Sequence, residues 1–326
     1  MNIVIVENSV IPAIKYGGTQ RVIWYLGKEL SKMGHQVTFL ANKGSQCPFA
    51  KIVEIDPLKS IGSQIPESAD IVHLNASVPQ DLKKPYVLTM HGNSLPGEVD
   101  PNTIFVSRNH AQRFGCDSFV YNGLDWDDYG PADLLKQRKG YHFLGKAAWR
   151  VKNLRGAISV TKALKGETLE VLGGDRFNFK MGWRFTFSPK IHFKGMVDDT
   201  VKKAVIEQSK GLIFPVTWHE PFGLAITESL YFGSPVFATP YGALPELVTK
   251  EVGFLTDDAS ELIRHLKEGP GYAPHICHEY ARDNFNSRIM AEAYLKKYEK
   301  VLSGQPLIDK LTPRATGDYT HLPWKR

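Results

Sequence analysis

Two carboxylates, Glu220 and Glu228, stand at the ends of the stretch Glu220-Pro-Phe-Gly-Leu-Ala-Ile-Thr-Glu228. An apolar, strand-like run from Gly211 to Val216 precedes it, and a helical pattern follows. The pair therefore flanks a strand-to-helix junction, and in open α/β sheets ligands bind at that carboxyl edge. Pro221 biases Glu220 away from the α region and keeps it in the loop. Proline is itself welcome in a first helical turn. The amides of Phe222, Gly223 and Leu224 become donors at a positive helix end, suited to phosphate or sugar oxygens. Glu228, about a turn and a half into the helix, can look back toward the same place. Helix stabilisation is the competing account of an acid near a helix start, and it weighs more on Glu228 than on Glu220.

Other strand ends carry groups of the same kind. After the first strand comes Lys15-Tyr16-Gly17-Gly18-Thr19, where Gly17 and Gly18 let backbone approach a ligand and present amides to phosphate. A plain helix start explains them equally well, and the dinucleotide GxGxxG is not there. His91 in Thr89-Met90-His91-Gly92 closes another strand and is a candidate for polar contact with a substrate, although a lone histidine is more often structural. Lys146, Arg150 and Lys152 put three cations in one βα loop, where they suit a diphosphate or form a solvated basic loop. Gly174 and the Gly195-Met196 pair follow two further strands, as turns or as points of close backbone approach. Asp125-Trp126-Asp127 imitates a metal-binding DxD but sits in an interdomain stretch, where a turn or cap explains it. His219-Glu220 begins like HExxH, yet position 223 is glycine. No metal site is expected.

The elements that must carry these residues alternate. Asn2–Val6 reads as strand, 18–33 as helix and Gln36–Ala41 as strand. Further strands are expected at 52–55, 70–74, 86–89, 103–106 and 118–121. After a linker-like stretch the rhythm restarts with strands at 141–144, 168–172, 190–193, 212–215, 235–238 and 252–255 and helices at 153–164, 199–209 and 223–232. This is α/β alternation of the kind that builds doubly wound parallel sheets. The expected division is residues 1–138, 139–286, and a C-terminal helix and tail over 287–326 that packs back on the first domain.

The chain has 326 residues, 42% hydrophobic and 23% charged, with a net charge of +6. That is the composition of an ordinary globular protein. No apolar run is long enough to span a bilayer. Met1 to Val6 is a short apolar run followed at once by Glu7, unlike a signal peptide, and a cytoplasmic location is expected. Cys47, Cys116 and Cys277 are scattered and read as reduced structural thiols. No basic stripe with interleaved aromatics suggests nucleic acid. The positive charge with Trp324-Lys325-Arg326 suits peripheral contact with an anionic membrane, though no amphipathic basic helix accompanies it.

As a set these motifs resemble the retaining GT-B nucleotide-sugar glycosyltransferases of family 4. Glu220 to Glu228 matches the Glu-x7-Glu motif and continues into Gly233-Ser-Pro-Val, Gly242-Ala-Leu-Pro-Glu and Gly253-Phe-Leu. Tyr16-Gly17-Gly18-Thr19, His91-Gly92, Asn122-Gly-Leu-Asp125 and Phe193-Lys-Gly195 match weaker landmarks in order. The resemblance implies two Rossmann-like domains facing a cleft, the donor on the second. It gives donor hydroxyls to Glu220, ribose to Glu228, the leaving diphosphate to Lys152, and sugar contact to His91. Gly17 and Gly18 would meet the diphosphate or the acceptor, and the loop after Phe193 would frame the base. Lys146 stands where the family usually has arginine, and Arg150 is placed to compensate. The implied activity is metal-independent, retaining transfer of a hexose from a nucleotide diphosphate sugar, UDP-sugar favoured, to a glycan, lipid-linked glycan or small-molecule hydroxyl. No cofactor beyond that co-substrate is implied. A GT-B sugar-nucleotide epimerase and a non-catalytic nucleotide-sugar-binding protein are the alternatives.

Overall fold

The computed structural model describes residues 1–12, 17–93, 98–179, 181, 183–309 and 321–325. The chain forms two compact units. The first comprises Met1–Trp126 and residues 285–309, and the second comprises Asp127–Asn284 and residues 321–325.

In the first unit, strands β1 (Asn2–Glu7), β2 (Gln36–Ala41), β3 (Lys51–Glu54), β4 (Ile71–Leu74), β5 (Tyr86–Met90) and β6 (Thr103–Phe105) form a parallel sheet in the order 3-2-1-4-5-6. Nearly continuous burial along β1, β4 and β5 shows why their sequences read as unbroken apolar runs, since a parallel sheet is covered on both faces. Helices α1 (Gly18–Lys32) and α2 (Arg108–Arg113) follow β1 and β6. The expected strand at 118–121 is reduced to a single bridge between Phe105 and Phe119.

The second unit repeats the topology. After α3 (Trp126–Tyr129) come β7 (Tyr141–Leu144), α4 (Leu154–Ala163) and β8 (Leu169–Leu172). A short antiparallel hairpin, β9 (Phe177–Asn178) with β10 (Arg184–Phe185), precedes β11 (Ile191–Phe193). Then follow α5 (Asp199–Glu207), β12 (Leu212–Phe214), α6 (Leu224–Tyr231), β13 (Val236–Ala238), α7 (Leu244–Leu247), β14 (Gly253–Leu255), α8 (Ala259–Lys267) and α9 (Pro274–Asn284). Its parallel sheet runs β11-β8-β7-β12-β13-β14, the same winding as the first. The order reverses direction between β7 and β12, and the carboxyl ends of those strands are where a doubly wound sheet offers its crevice.

Packing sets the boundaries of the units. The chain enters the second unit at Asp127 because Tyr129 packs against Tyr231 and Phe232 of that unit. Helix α10 (Ser287–Leu302) belongs to the first unit, where Tyr298 bonds His73 at 2.7 Å and Tyr294 bonds Thr89 at 3.1 Å. Residues 321–325 pack on the second unit instead. Lys325 bridges to Asp258, and Leu322 donates its N–H to the Thr217 carbonyl at 2.7 Å.

Candidate active site

The loops after β7 and β12 meet at the reversal of strand order, and three contacts tie them. Thr217 donates its N–H to the Val151 carbonyl at 2.8 Å, and the Asn153 side-chain amide donates to the Pro215 carbonyl at 2.9 Å. Lys152 Nζ meets Glu220 Oε2 at 2.6 Å. Asn153 adopts a left-handed conformation, φ 51°, that asparagine tolerates better than most residues, and its side chain caps α4 through the Gly156 N–H at 3.0 Å.

Glu220 is buried. Its Oε2 accepts from Lys152 and also from the Trp218 indole N–H at 2.7 Å. The Lys152 ammonium lies over the Phe214 and Trp218 rings, 5.2 and 5.1 Å from their centroids. Behind Glu220, Gly242 lies at φ 65°, and a Cβ there would come within 2.3 Å of the Glu220 backbone N and O. Only glycine lets the loop after β13 support Glu220 so closely.

Glu228 on α6 is held in the same manner by different partners. Its Oε1 accepts from the Tyr129 hydroxyl at 2.7 Å and from Lys202 Nζ, both buried. Lys202 lies 5.1 Å from the centre of the Tyr129 ring. Each carboxylate thus spends one oxygen on a lysine and an aromatic donor. Among the described residues the other oxygen of each, Oε1 of Glu220 and Oε2 of Glu228, has no protein partner. Gly223, at φ 107°, precedes α6 with no side-chain cap, so the α6 amino end, with Phe222 buried and Leu224 half-buried, is left to backbone donors.

The remaining candidates of this unit have mixed positions. Lys146 lies over the Trp149 ring at 5.3 Å, and Arg150 is exposed in a short 3-10 turn (Arg150–Lys152). Gly174 bridges to Gly195, and a Cβ on it would strike the Ala147 Cβ at 2.4 Å, so packing alone demands glycine there. Gly195 turns at φ 68°, and Met196 after it is largely exposed.

His91, Gly17 and Gly18 belong to the first unit. Gly17, at φ 147°, opens α1 and accepts from the Arg21 N–H, with Gly18 the first helical residue; Lys15 and Tyr16 lie outside the described residues. His91 ends β5 and pairs through Nε2 with Asn75 Oδ1 at 2.9 Å. The Asn75 amide nitrogen donates elsewhere, to the Val6 carbonyl, so Nε2 carries the proton and Nδ1 is left as an acceptor. Burial pushes its pKa down to about 4, which keeps the ring neutral at neutral pH.

Sequence reasoning passed over Lys202, Tyr129 and Trp218. The only signal was Lys202 itself, on the face of α5 that also carries buried Ile206. Asp125 of the DxD imitation is an ion-pair residue. Burial works to raise its pKa, but hydrogen bonds and charge from Lys28 and Lys32 outweigh it and hold the carboxyl below its usual range. Among the described residues no cluster of His, Cys, Asp or Glu could hold a metal ion, and no helix is long and apolar enough to cross a membrane.

Residues 134–283, the body of this second unit, match the family described as glycosyl transferases group 1. The matched span contains the Glu220–Glu228 motif together with Lys152 and Lys202. A curated relative, an uncharacterised 41.2 kDa protein in the cps region of Klebsiella pneumoniae, is 27% identical over 114 residues, 33% of this chain and 32% of that protein. The match thus spans about a third of that relative. Among solved structures, AviGT4, a glycosyltransferase involved in avilamycin A biosynthesis, superposes with a TM-score of 0.76 at 19% identity over 93% of this chain and 98% of that one. Sucrose-phosphate synthase of Thermosynechococcus elongatus gives 0.72 at 15% identity, over 93% of this chain and all of that one. HepE of Anabaena in complex with UDP-glucose gives 0.65 at 16% identity with 93% and 100% coverage. At such identities the likeness is one of fold, and the fold class is GT-B: two α/β units, each on a six-stranded parallel sheet.

Proposed function

We propose that the protein is a retaining, metal-independent hexosyltransferase that uses a nucleotide diphosphate sugar, UDP-sugar before others. The observation that carries this reading is the matched pair of buried carboxylates, each fixed through one oxygen and each leaving the other to accept. Such acceptor-only groups suit vicinal hydroxyls. In this reading Glu220 Oε1 takes donor-sugar hydroxyls and Glu228 Oε2 takes the ribose. The α6 amino end and Lys152 take the diphosphate, with Lys146 and Arg150 adding charge from the same loop. The sugar C1–O bond to the diphosphate breaks while an acceptor hydroxyl attacks from the same face, and its proton passes to a diphosphate oxygen. Negative charge grows on the leaving diphosphate, where a fixed ammonium lowers the barrier most. Neutral His91, with Nδ1 as acceptor, serves as a hydrogen-bonding contact to the sugar rather than as a cation. The UDP-glucose complex of HepE supports a UDP-sugar as first choice.

A thermal-shift panel of UDP, GDP and ADP with their sugars tests the reading. A ligand at about 100 times its dissociation constant adds roughly 2.7 kcal/mol. The expected result is a clear shift with a uridine nucleotide, abolished in Glu228→Ala. No shift with any nucleotide would overturn the proposal. Conversion of the donor to an isomer without an acceptor would turn it toward epimerisation.

A further inference from the structure

The β9–β10 hairpin stands at the carboxyl edge of β8 with its polarity reversed. Phe177, Phe179, Met181, Trp183, Phe185 and Phe187 are all exposed, at 45, 67, 58, 70, 47 and 79%. Phe177 pairs directly with Phe185, and Phe187 and Phe179 lie 5.7 and 5.6 Å from those two rings, so the aromatics form one continuous outer face. The inner positions are polar. Arg176 and Arg184 point back and staple the hairpin to carbonyls of Thr186, Ser188, Ile191 and Asp175, with both guanidinium groups over Phe193. A water-facing hairpin carries the opposite pattern, apolar residues in and polar out.

The surroundings indicate what covers this face. At the foot of the hairpin is a cavity of about 450 Å³ whose walls include Trp149, Trp183, Trp324, Arg150, Arg155 and Arg184 and no carboxylate. The segment 175–196 holds five basic residues and one acid, Asp175. Exposed aromatics beside arginines, with almost no acid, match the chemistry of an anionic bilayer surface, where rings sit at headgroup depth and cations meet phosphates. We propose that this hairpin docks the protein on anionic phospholipid membranes, seating its aromatic face in the interface, with exposed Arg155 on the cavity wall meeting headgroup phosphate. Trp324 lines the same cavity, so its ring joins the contact. The hairpin rises from the same sheet edge as the Glu220 loop, which suits an acceptor presented at a membrane.

The test is co-sedimentation of the full chain with phosphatidylcholine vesicles carrying about a third phosphatidylglycerol. Wild-type protein should pellet with them, weakly or not at all with pure phosphatidylcholine, and less in high salt. The variant Phe179→Ser/Trp183→Ser/Phe187→Ser should bind at least about tenfold more weakly, with an unchanged melting temperature because all three side chains are exposed. Brominated lipid should quench wild-type fluorescence more than that of Trp183→Phe. Equal binding by wild type and the triple variant, equal quenching, or no wild-type binding would each overturn the proposal. So would a wild-type dimer that the triple variant converts to monomer without vesicle binding, since the face would then belong to a second copy. None of these readouts depends on sugar transfer, so the transferase reading and this one can fail separately.

Discussion

Replacing Lys202 by methionine keeps most of its stem volume and removes its charge. Glu228 then remains buried with only the Tyr129 hydroxyl on Oε1. Lys202 and Glu228 side chains are just 9 and 10% exposed, so screening by water is slight and the bare carboxylate keeps most of its desolvation cost. Removing one partner of such a pair costs about 3–5 kcal/mol. At about 2–4 °C per kcal/mol for a unit of this size, the second unit should melt roughly 6–20 °C lower. Glu228→Gln added to Lys202→Met removes the uncompensated charge, and most of the loss should return. Nucleotide binding should not return with it, because the ribose acceptor is gone. Thermal melting with and without UDP reads both quantities in one experiment. A Lys202→Met cost below about 1 kcal/mol, the worth of an exposed pair, would refute the burial argument. Restored UDP binding in the double variant would refute the role given to Glu228.

Three further outcomes follow from the same geometry. Glu220→Gln preserves shape but leaves the buried Lys152 without its counter-charge, so kcat should fall by about 10²–10³ and stability by about 3–5 kcal/mol, as for the other pair; wild-type turnover would remove Glu220 from the chemistry. Gly242→Ala sets a Cβ 2.3 Å from the Glu220 backbone at φ 65°, so about 1–3 kcal/mol of stability and most activity should be lost together, and loss of neither would show that the loop yields freely. Burial holds His73 and His142 near 3 and His91 near 4. Below about pH 6.5 the unfolded chain therefore takes up protons that the native protein refuses, and stability falls by up to about 1.4 kcal/mol per pH unit for each histidine until the folded values are reached. The melting temperature should accordingly drop from about pH 7 to about pH 5, with a shallower slope in His142→Asn; a flat profile would contradict the buried, neutral rings.

Much of this was legible in the residues because it depends on local order. The strand-to-helix junction at Glu220 is written by an apolar run, a proline and Gly223, and the parallel sheets by runs that are buried on both faces. Lys152 could be found because it shares one βα loop with Lys146 and Arg150. Lys202, Tyr129 and Trp218 could not, since their partners are chosen by packing between elements distant in sequence. The expected strand at 118–121 pairs through one bridge only, and β propensity by itself does not supply a neighbour. The β9–β10 hairpin escaped notice for a different reason. Its outward alternation mimics a half-buried strand, while its fastening is by arginine to backbone carbonyls, which leave no mark in the sequence.

The return of α10 to the first unit has a consequence for how the chain is made. The first unit's core needs Tyr294 and Tyr298, which fill the space over β4 and β5 and satisfy His73 and Thr89. A ribosome delivers the sheet of that unit early and its closing helix only after the whole span from Asp127 to Asn284 has emerged. At roughly 5–20 residues per second the wait is on the order of ten seconds or more. During that interval the Asp127–Asn284 span can reach its native packing while the first sheet waits with an apolar face uncovered. The usual rule that the amino-terminal domain finishes first during synthesis is inverted here, and the early half is the last to close.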